Sequence, residues 1–233
     1  MRYRSCHTAF LLLAALSTLV PAAFAQEEKK LEVRKAKGSI EFTDPAGDVQ
    51  SIHSSSGDYP GMDVVQLTIA SDGKQISVTA TLKDAPGVFA SEVVDLYLDT
   101  DNKPATGMKM TYPDLGGFEY KAELQACADY SDKSSACIGG SSKAKPTRHW
   151  AALNVDRFKG GGEYDKDTVV DSMGFPGSKA SPQVPIPGKV VQGTIDYADL
   201  KVKPGQTIRI LARESSAGGN LDAYFPEILL TLK

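Results

Sequence analysis

The residues best placed to do chemistry stand together at 99–102, Asp99-Thr100-Asp101-Asn102, directly after an apolar alternation of Leu96 and Leu98 around Tyr97. Two carboxylates and a carboxamide are hard oxygen donors, the ligands that Ca²⁺ prefers. Packed this closely, the carboxylates repel one another unless a cation or hydrogen-bond donors neutralise them. A Ca²⁺ site at a strand end is one reading. A solvated Asx-type turn is the other, because Asp and Asn are favoured in turns for backbone reasons alone. An EF-hand loop is excluded: Lys103 and Pro104 stand where that loop requires a ligand and a glycine. Any cation site here must be assembled from several strand ends.

Those donors need elements to hold them. Leu96 and Leu98 belong on a strand with one face in a core, and Pro104 and Gly107 fold the chain back after it. Val65, Leu67 and Ile69 alternate with polar residues, Asp72-Gly73 is a hairpin signal, and Ile76, Val78, Ala80 and Leu82 alternate in turn. Further strands are expected around Ile40 and Phe42, at 118–124, 148–155, 168–173, 190–195, 207–213 and 227–232, with a helical turn at 197–200. Met108 and Met110 fall in a loop after the acidic turn. Many short strands separated by Gly, Pro, Asp and Ser, with no sustained helical period, indicate an all-β chain. An antiparallel β-sandwich or barrel follows.

Residues 1–25 have the plan of a secretory signal peptide. Arg2 and Arg4 precede an apolar run at 9–20, and Ala23-Phe24-Ala25 supplies the small-x-small cleavage pattern. An uncleaved anchor is the competing reading; the run is short for a bilayer and ends in Pro21. No other segment is apolar enough to cross a membrane as a helix, so an integral membrane protein is not expected. Cleavage takes the 233-residue chain to 208, and the loss of two arginines and no acids takes its formal charge from −3 to −5. With no basic block, nucleic-acid binding is disfavoured. Residues 26–38 are charged and read as a mobile leader or short helix, leaving 39–233 as a single domain.

Cys127 and Cys137 remain in an exported chain and read as a disulfide closing a Gly/Ser/Lys-rich loop, which would contribute roughly 2–3 kcal/mol in the chain-entropy picture. Two free thiols with a metal or redox role are the alternative.

Three blocks carry a family likeness. The first runs from Asp44-Pro45-Ala46-Gly47-Asp48 to Gly61-Met62-Asp63-Val64 and the Asp72-Gly73 hairpin. The second is 96–107 with Gly117-Phe118-Glu119-Tyr120. The third runs from Gly205-Gln206-Thr207-Ile208-Arg209-Ile210 to Leu221-Asp222-Ala223-Tyr224-Phe225-Pro226. Together they resemble the secreted bacterial β-sandwiches related to family 9 carbohydrate-binding modules and DOMON domains, over residues 39–233. The resemblance implies a jelly-roll-like sandwich with structural calcium and a binding role. Its acidic positions map onto Asp44, Asp48, Asp63, Asp99, Asp101 and Glu119; Asn102 and Asp222 join them as candidate ligands in this chain.

Carbohydrate recognition, which the resemblance also implies, needs an aromatic platform for the sugar's axial hydrogens. Trp150 is the one tryptophan, and Tyr112, Tyr130, Tyr164 and Tyr59 lie in expected loops. Trp150 as a core residue is the competing reading. Haem, carried by some DOMON relatives on Met and His, would draw on Met108, Met110, His53 and His149. The chain has no Gly-x-Ser-x-Gly elbow and no His-Glu-x-x-His motif. Paired carboxylates for glycoside hydrolysis could be drawn from Asp95, Asp99, Asp101 and Glu119, but a cluster on one turn more naturally holds a cation. The expected function is therefore non-catalytic. A structural or interaction protein of the cell envelope, without a small-molecule ligand, is the second reading.

Overall fold

A computed structural model describes residues 31–47, 52–54, 57–59, 62–86, 91–111, 114–137, 144–158, 162–163, 169–173, 184–214 and 224–233. The proposed signal peptide, Asp48, Tyr112, Tyr164 and Asp222 lie outside them, as do the side chains of His53 and Tyr59.

In chain order the strands begin with β1 Val33–Lys37, β2 Ser39–Thr43, β3 Ile52–Ser54, β4 Gly57–Tyr59, β5 Val64–Ser71 and β6 Gln75–Leu82. There follow β7 Ser91–Asp99, β8 Met108–Thr111, β9 Asp114–Phe118, β10 Tyr120–Tyr130, β11 Ser135–Ala136 and β12 Pro146–Phe158. The last group is β13 Gly162–Glu163, β14 Val169–Met173, β15 Val184–Pro185, β16 Val190–Asp196, β17 Thr207–Glu214 and β18 Glu227–Thr231, with one helical turn, α1 Tyr197–Leu200, between β16 and β17.

A large sheet in the order β1-β18-β17-β7-β10-β12-β14 packs against a four-stranded sheet, β16-β6-β5-β2. Most pairings are antiparallel; β1 with β18 and β13 with β8 are parallel. The core between the sheets takes alternate residues from each strand. Leu67 and Ile69 of β5, Ile76, Val78 and Ala80 of β6, and Leu96 and Leu98 of β7 are all fully buried there. Ala122 and Leu124 of β10 and Ile208 and Ile210 of β17 complete it from the large sheet. Burying one aliphatic side chain of this kind contributes about 1.5–3 kcal/mol, and the two-residue period explains why the opposite residues of the same strands face the other way.

That other, outer face of the large sheet is not simply solvent-facing. The β8–β9 hairpin folds back and seats Met108, Met110 and Phe118 against Tyr97, Leu211, Phe158 and Tyr224, a second apolar cluster. Met108 and Met110 are therefore strand residues, 2% and 9% exposed, rather than loop residues. The loop expectation failed because the Met108-Lys109-Met110 alternation is very short and its partner strand β9 carries Gly116 and Gly117. Val33–Lys37, read as leader, is likewise strand β1. Its side chains are mostly exposed, and its place comes from backbone hydrogen bonding along β18. A lysine-rich strand is a usual way to finish a sheet edge without inviting further strands.

Candidate functional site

Asp99 ends β7 on the outer face, with its side chain almost wholly buried. Arg209 is its cross-strand neighbour on β17. The guanidinium reaches Asp99 Oδ2 through Nε at 3.0 Å and Nη2 at 2.8 Å, donates to the Gly116 carbonyl, and lies 4.8 Å from the centre of the Phe118 ring. Asp99 Oδ1 accepts the backbone N–H groups of Asn102 at 2.6 Å and Asp101 at 3.2 Å. Asp99 is thus an Asx-type staple. One oxygen shapes the turn and the other ties it to the neighbouring strand.

Two glycines let the β8–β9 hairpin close on this turn. Gly117, at φ 96°, has no room for a Cβ, which would stand 2.6 Å from the Lys103 carbonyl and 3.0 Å from Asp99 Oδ2. At Gly107, φ 64°, a Cβ would fall 2.3 Å from the Phe118 carbonyl oxygen.

Glu119, between β9 and β10, faces the same turn. Its Oε2 accepts the Thr100 N–H at 2.7 Å and hydroxyl at 3.1 Å. Its Oε1 accepts from Thr106 Oγ1 at 2.7 Å. Burial raises the Glu119 carboxyl above its ordinary value; the hydrogen bonds from Thr100 and Thr106 oppose this, and Asp99 and Asp101 add to it. Asp101 Oδ1 accepts the Lys103 N–H at 2.9 Å and stands 3.0 Å from Thr106 Oγ1.

Thr106 is the centre of the arrangement. Its hydroxyl lies within hydrogen-bond distance of three acceptors, Glu119 Oε1, Asp101 Oδ1 and, at 2.9 Å, the Lys103 carbonyl. A hydroxyl carries one hydrogen, so two of those three oxygen–oxygen contacts have none from it. The nearby countercharge is the exposed Lys103 ammonium, 3.5 Å from Asp101 Oδ2.

Carboxylate oxygens of Asp99, Asp101 and Glu119 lie within 4.8 Å of one another. The donors around Thr106 are all oxygen, two anionic and two neutral, which fits a Ca²⁺-type cation and not a thiolate- or imidazole-seeking metal. Asp101, Glu119, the Thr106 hydroxyl and the Lys103 carbonyl would hold it, with Asp99 already engaged by Arg209.

The remaining expected ligands lie apart. Asn102, in left-handed conformation at φ 55°, turns its amide away to donate to the Thr207 carbonyl at 2.7 Å. Asp44 follows β2 and Asp63 precedes β5, and neither joins the Asp99–Asp101–Glu119 group. Asp63 instead accepts the Gly47 N–H at 2.7 Å and pairs with Lys83 at 3.6 Å.

Of the aromatic candidates, Trp150 and Tyr130 are buried. Trp150, 2% exposed, packs with Ala152 against the Cys127–Cys137 disulfide, and its Nε1 donates to Asp129 Oδ1 at 3.1 Å. Tyr130 is 3% exposed beside Ala128. Neither ring face is open for a sugar to stack on.

A second acidic group lies further along the same face. Oxygens of Glu92, Asp95 and Glu123 lie within 4.8 Å of one another. Asp95 is fully buried, and Arg213, its neighbour on β17, contacts its Oδ2 at 2.5 Å. Lys121 lies 3.6 Å from Asp95 Oδ1 and bonds Glu123. Burial works against the Lys121 ammonium, but Asp95 and Glu123 more than offset it and hold the group above its ordinary range. The Tyr97 phenol beside them is pushed up to about 12, by burial first and by Asp95 second. Of this group only Asp95 stood out from the sequence; Lys121, Glu123, Arg209 and Arg213 become partners only once β7, β10 and β17 are set side by side. The signal available was the two-residue spacing Asp95, Tyr97, Asp99 against Lys121, Glu123, Gln125 and Arg209, Leu211, Arg213.

Comparison with protein-family models, with curated proteins and with solved structures found no match for this chain.

Proposed function

We propose that this chain is an exported, non-catalytic binding domain whose sandwich is stabilised by Ca²⁺ at the acidic turn. The observation that carries the reading is the Thr106 hydroxyl set among Glu119, Asp101 and the Lys103 carbonyl with one hydrogen to share. A divalent cation there would neutralise Asp101 and Glu119 and join the turn after β7 to the start of β10. Export is supported by the signal-like segment 1–25 and by the paired cysteines.

The test is thermal melting of the full mature chain, first in EDTA and then with Ca²⁺ restored. Free Ca²⁺ at about a hundred times its dissociation constant stabilises by roughly 2.7 kcal/mol, several degrees for a domain of this size. An unchanged midpoint would remove the cation from the account.

One observation favours a second reading, an interaction protein of the envelope with no small-molecule ligand. Trp150 and Tyr130 are spent in packing. A binding role by aromatic stacking is therefore not supported by these two rings.

A further inference from the structure

The β1 edge of the large sheet has a chemistry of its own. Lys35, Ala36 and Lys37 of β1, Leu229 and Thr231 of β18, and Thr207 of β17 line a groove of about 500 Å³. Strand register sets its plan. Lys35 stands beside Leu229, Lys37 beside Thr231, and Thr231 in turn beside Thr207. Ile228 and Leu230 of β18 and Ile208 of β17 belong to the core between the sheets, so the residues alternating with them face outward. Leu229, Thr207 and Thr231 are half-buried and form the floor, and both lysines are exposed.

The charges and hydrogens in this groove decide what fits it. Among the described residues neither lysine ammonium has an ion-pair partner. Asp99 shares the row of Lys35 but is paired with Arg209, and Glu227 stands one outward row away, beside Val33. The Thr207 and Thr231 hydroxyls lie 2.9 Å apart and share one hydrogen bond. Each hydroxyl carries one hydrogen, so the pair keeps one more to donate. Two positive charges and a hydroxyl hydrogen match a phosphate monoester, which carries about −1.5 to −2 charge at pH 7 and offers three acceptor oxygens. A carboxylate or a sulfate ester brings a single charge and leaves one ammonium unanswered. Lysine serves phosphate as a point charge, whereas planar carboxylates favour the guanidinium fork. The groove is also larger than a phosphate group needs and falls within the roughly 300–1,000 Å³ of small-molecule sites. Leu229 and Ala36 give the remaining space an apolar surface. Edge protection accounts for lysine on β1, but not for a groove with a hydroxyl pair in its floor.

We infer that this groove binds a phosphate monoester, with Lys35, Lys37 and the Thr207–Thr231 pair holding the phosphate and Leu229 beneath the organic group. The inference rests on the binding-domain reading above, to which it gives a surface and a ligand class. It uses no residue of the acidic turn.

The experiment is calorimetric titration of the full mature chain, in phosphate-free buffer, with phenyl phosphate, inorganic phosphate and phenol. Phenyl phosphate should bind more tightly than inorganic phosphate, and phenol should not bind. Lys35→Met and Lys37→Met should each weaken phenyl phosphate by about fivefold or more, the loss of one charge-assisted contact at an accessible site. Lys145→Met removes the same charge from an exposed position just before β12, far from β1 in the strand order, and should leave binding unchanged. Melting temperatures should hold in all three, since surface substitutions have little effect on stability. Sedimentation with phosphatidylcholine vesicles, with and without phosphatidic acid, separates the two sources of such a phosphate. Binding to phosphatidic acid that both groove variants lose assigns the groove to a lipid headgroup; phenyl phosphate binding with the vesicles ignored assigns it to a soluble ester. The inference is overturned by silence towards every phosphate, by equal binding in all variants, or by an equal loss in Lys145→Met. Inorganic phosphate binding as tightly as phenyl phosphate would overturn it too. Silence here with a midpoint raised by Ca²⁺ would strike this inference and spare the calcium reading; the reverse pair of results would do the opposite.

Discussion

Two groups of three carboxylates stand along the outer face of one sheet, and they are neutralised in different ways. Around Asp95 the positive charge is built in. Arg213 arrives from β17 and Lys121 from β10, each across one strand spacing. Around the acidic turn Arg209 serves Asp99, the exposed Lys103 ammonium stands 3.5 Å from Asp101 Oδ2, and Glu119 accepts from the Thr100 N–H and the hydroxyls of Thr100 and Thr106. The first group is an ion network whose countercharges come from the protein itself, with or without a bound cation. The second is the group that, on the calcium reading proposed above, a cation would complete. Counting carboxylates would not separate them; asking which strand supplies the countercharge does.

The largest expected effect comes from breaking the closed network. Arg213→Leu should cost about 3 kcal/mol, the low end for a buried pair that loses one partner, because Lys121 still stands 3.6 Å from Asp95. Urea unfolding with and without Ca²⁺ should give the same loss. Adding Asp95→Leu should restore much of it, and a loss that vanished in Ca²⁺ would mean the two groups are not independent.

The open group should give a smaller effect that depends entirely on the cation. Glu119→Gln keeps the shape and removes the charge. It should cancel the roughly 2.7 kcal/mol that excess Ca²⁺ gives the parent protein and leave melting in EDTA unchanged or higher. A variant that still gained stability from Ca²⁺ would move the cation elsewhere.

The smallest effect should appear in the pH dependence. Glu119 has its folded value raised above 4.5 by burial. Such a group contributes stability when protonated, and the contribution is lost as pH rises through the folded value. Without Ca²⁺, the melting temperature should therefore climb as pH falls from 7 towards about 5. Glu123, also raised by burial, acts in the same direction. In excess Ca²⁺ the slope should reverse, since protons then compete with the cation for Glu119 and Asp101. Parallel slopes in the two buffers would contradict the division drawn here.

Much of the sandwich could be read from the chain because its core strands alternate cleanly. Ile76, Val78, Ala80 and Leu82 announce β6, and the Asp72-Gly73 turn fixes its partner β5. The helical turn at 197–200 was legible for the same local reasons. Strand β1 was not, because charged residues on a sheet edge look like those of a leader. Nor was the β8–β9 hairpin, whose methionines find their burial against Tyr97 and Leu211. At the candidate site, Asp99, Asp101 and Glu119 were legible as oxygen donors close in sequence. Arg209 and Arg213 were not. Each is more than a hundred residues from the aspartate it serves, a distance that only strand order bridges. Local chemistry identified the acids, and topology decided which of them were already paired.

The parallel pairing of β1 with β18 carries a mechanical consequence. Val33 stands beside Glu227 and Lys37 beside Thr231, so tension applied between the start of β1 and the end of β18 pulls the two strands lengthwise past each other. The hydrogen bonds of the ladder are then loaded together in shear and not unzipped one at a time. A protein tethered through these two strands would resist stretching at the seam where they meet.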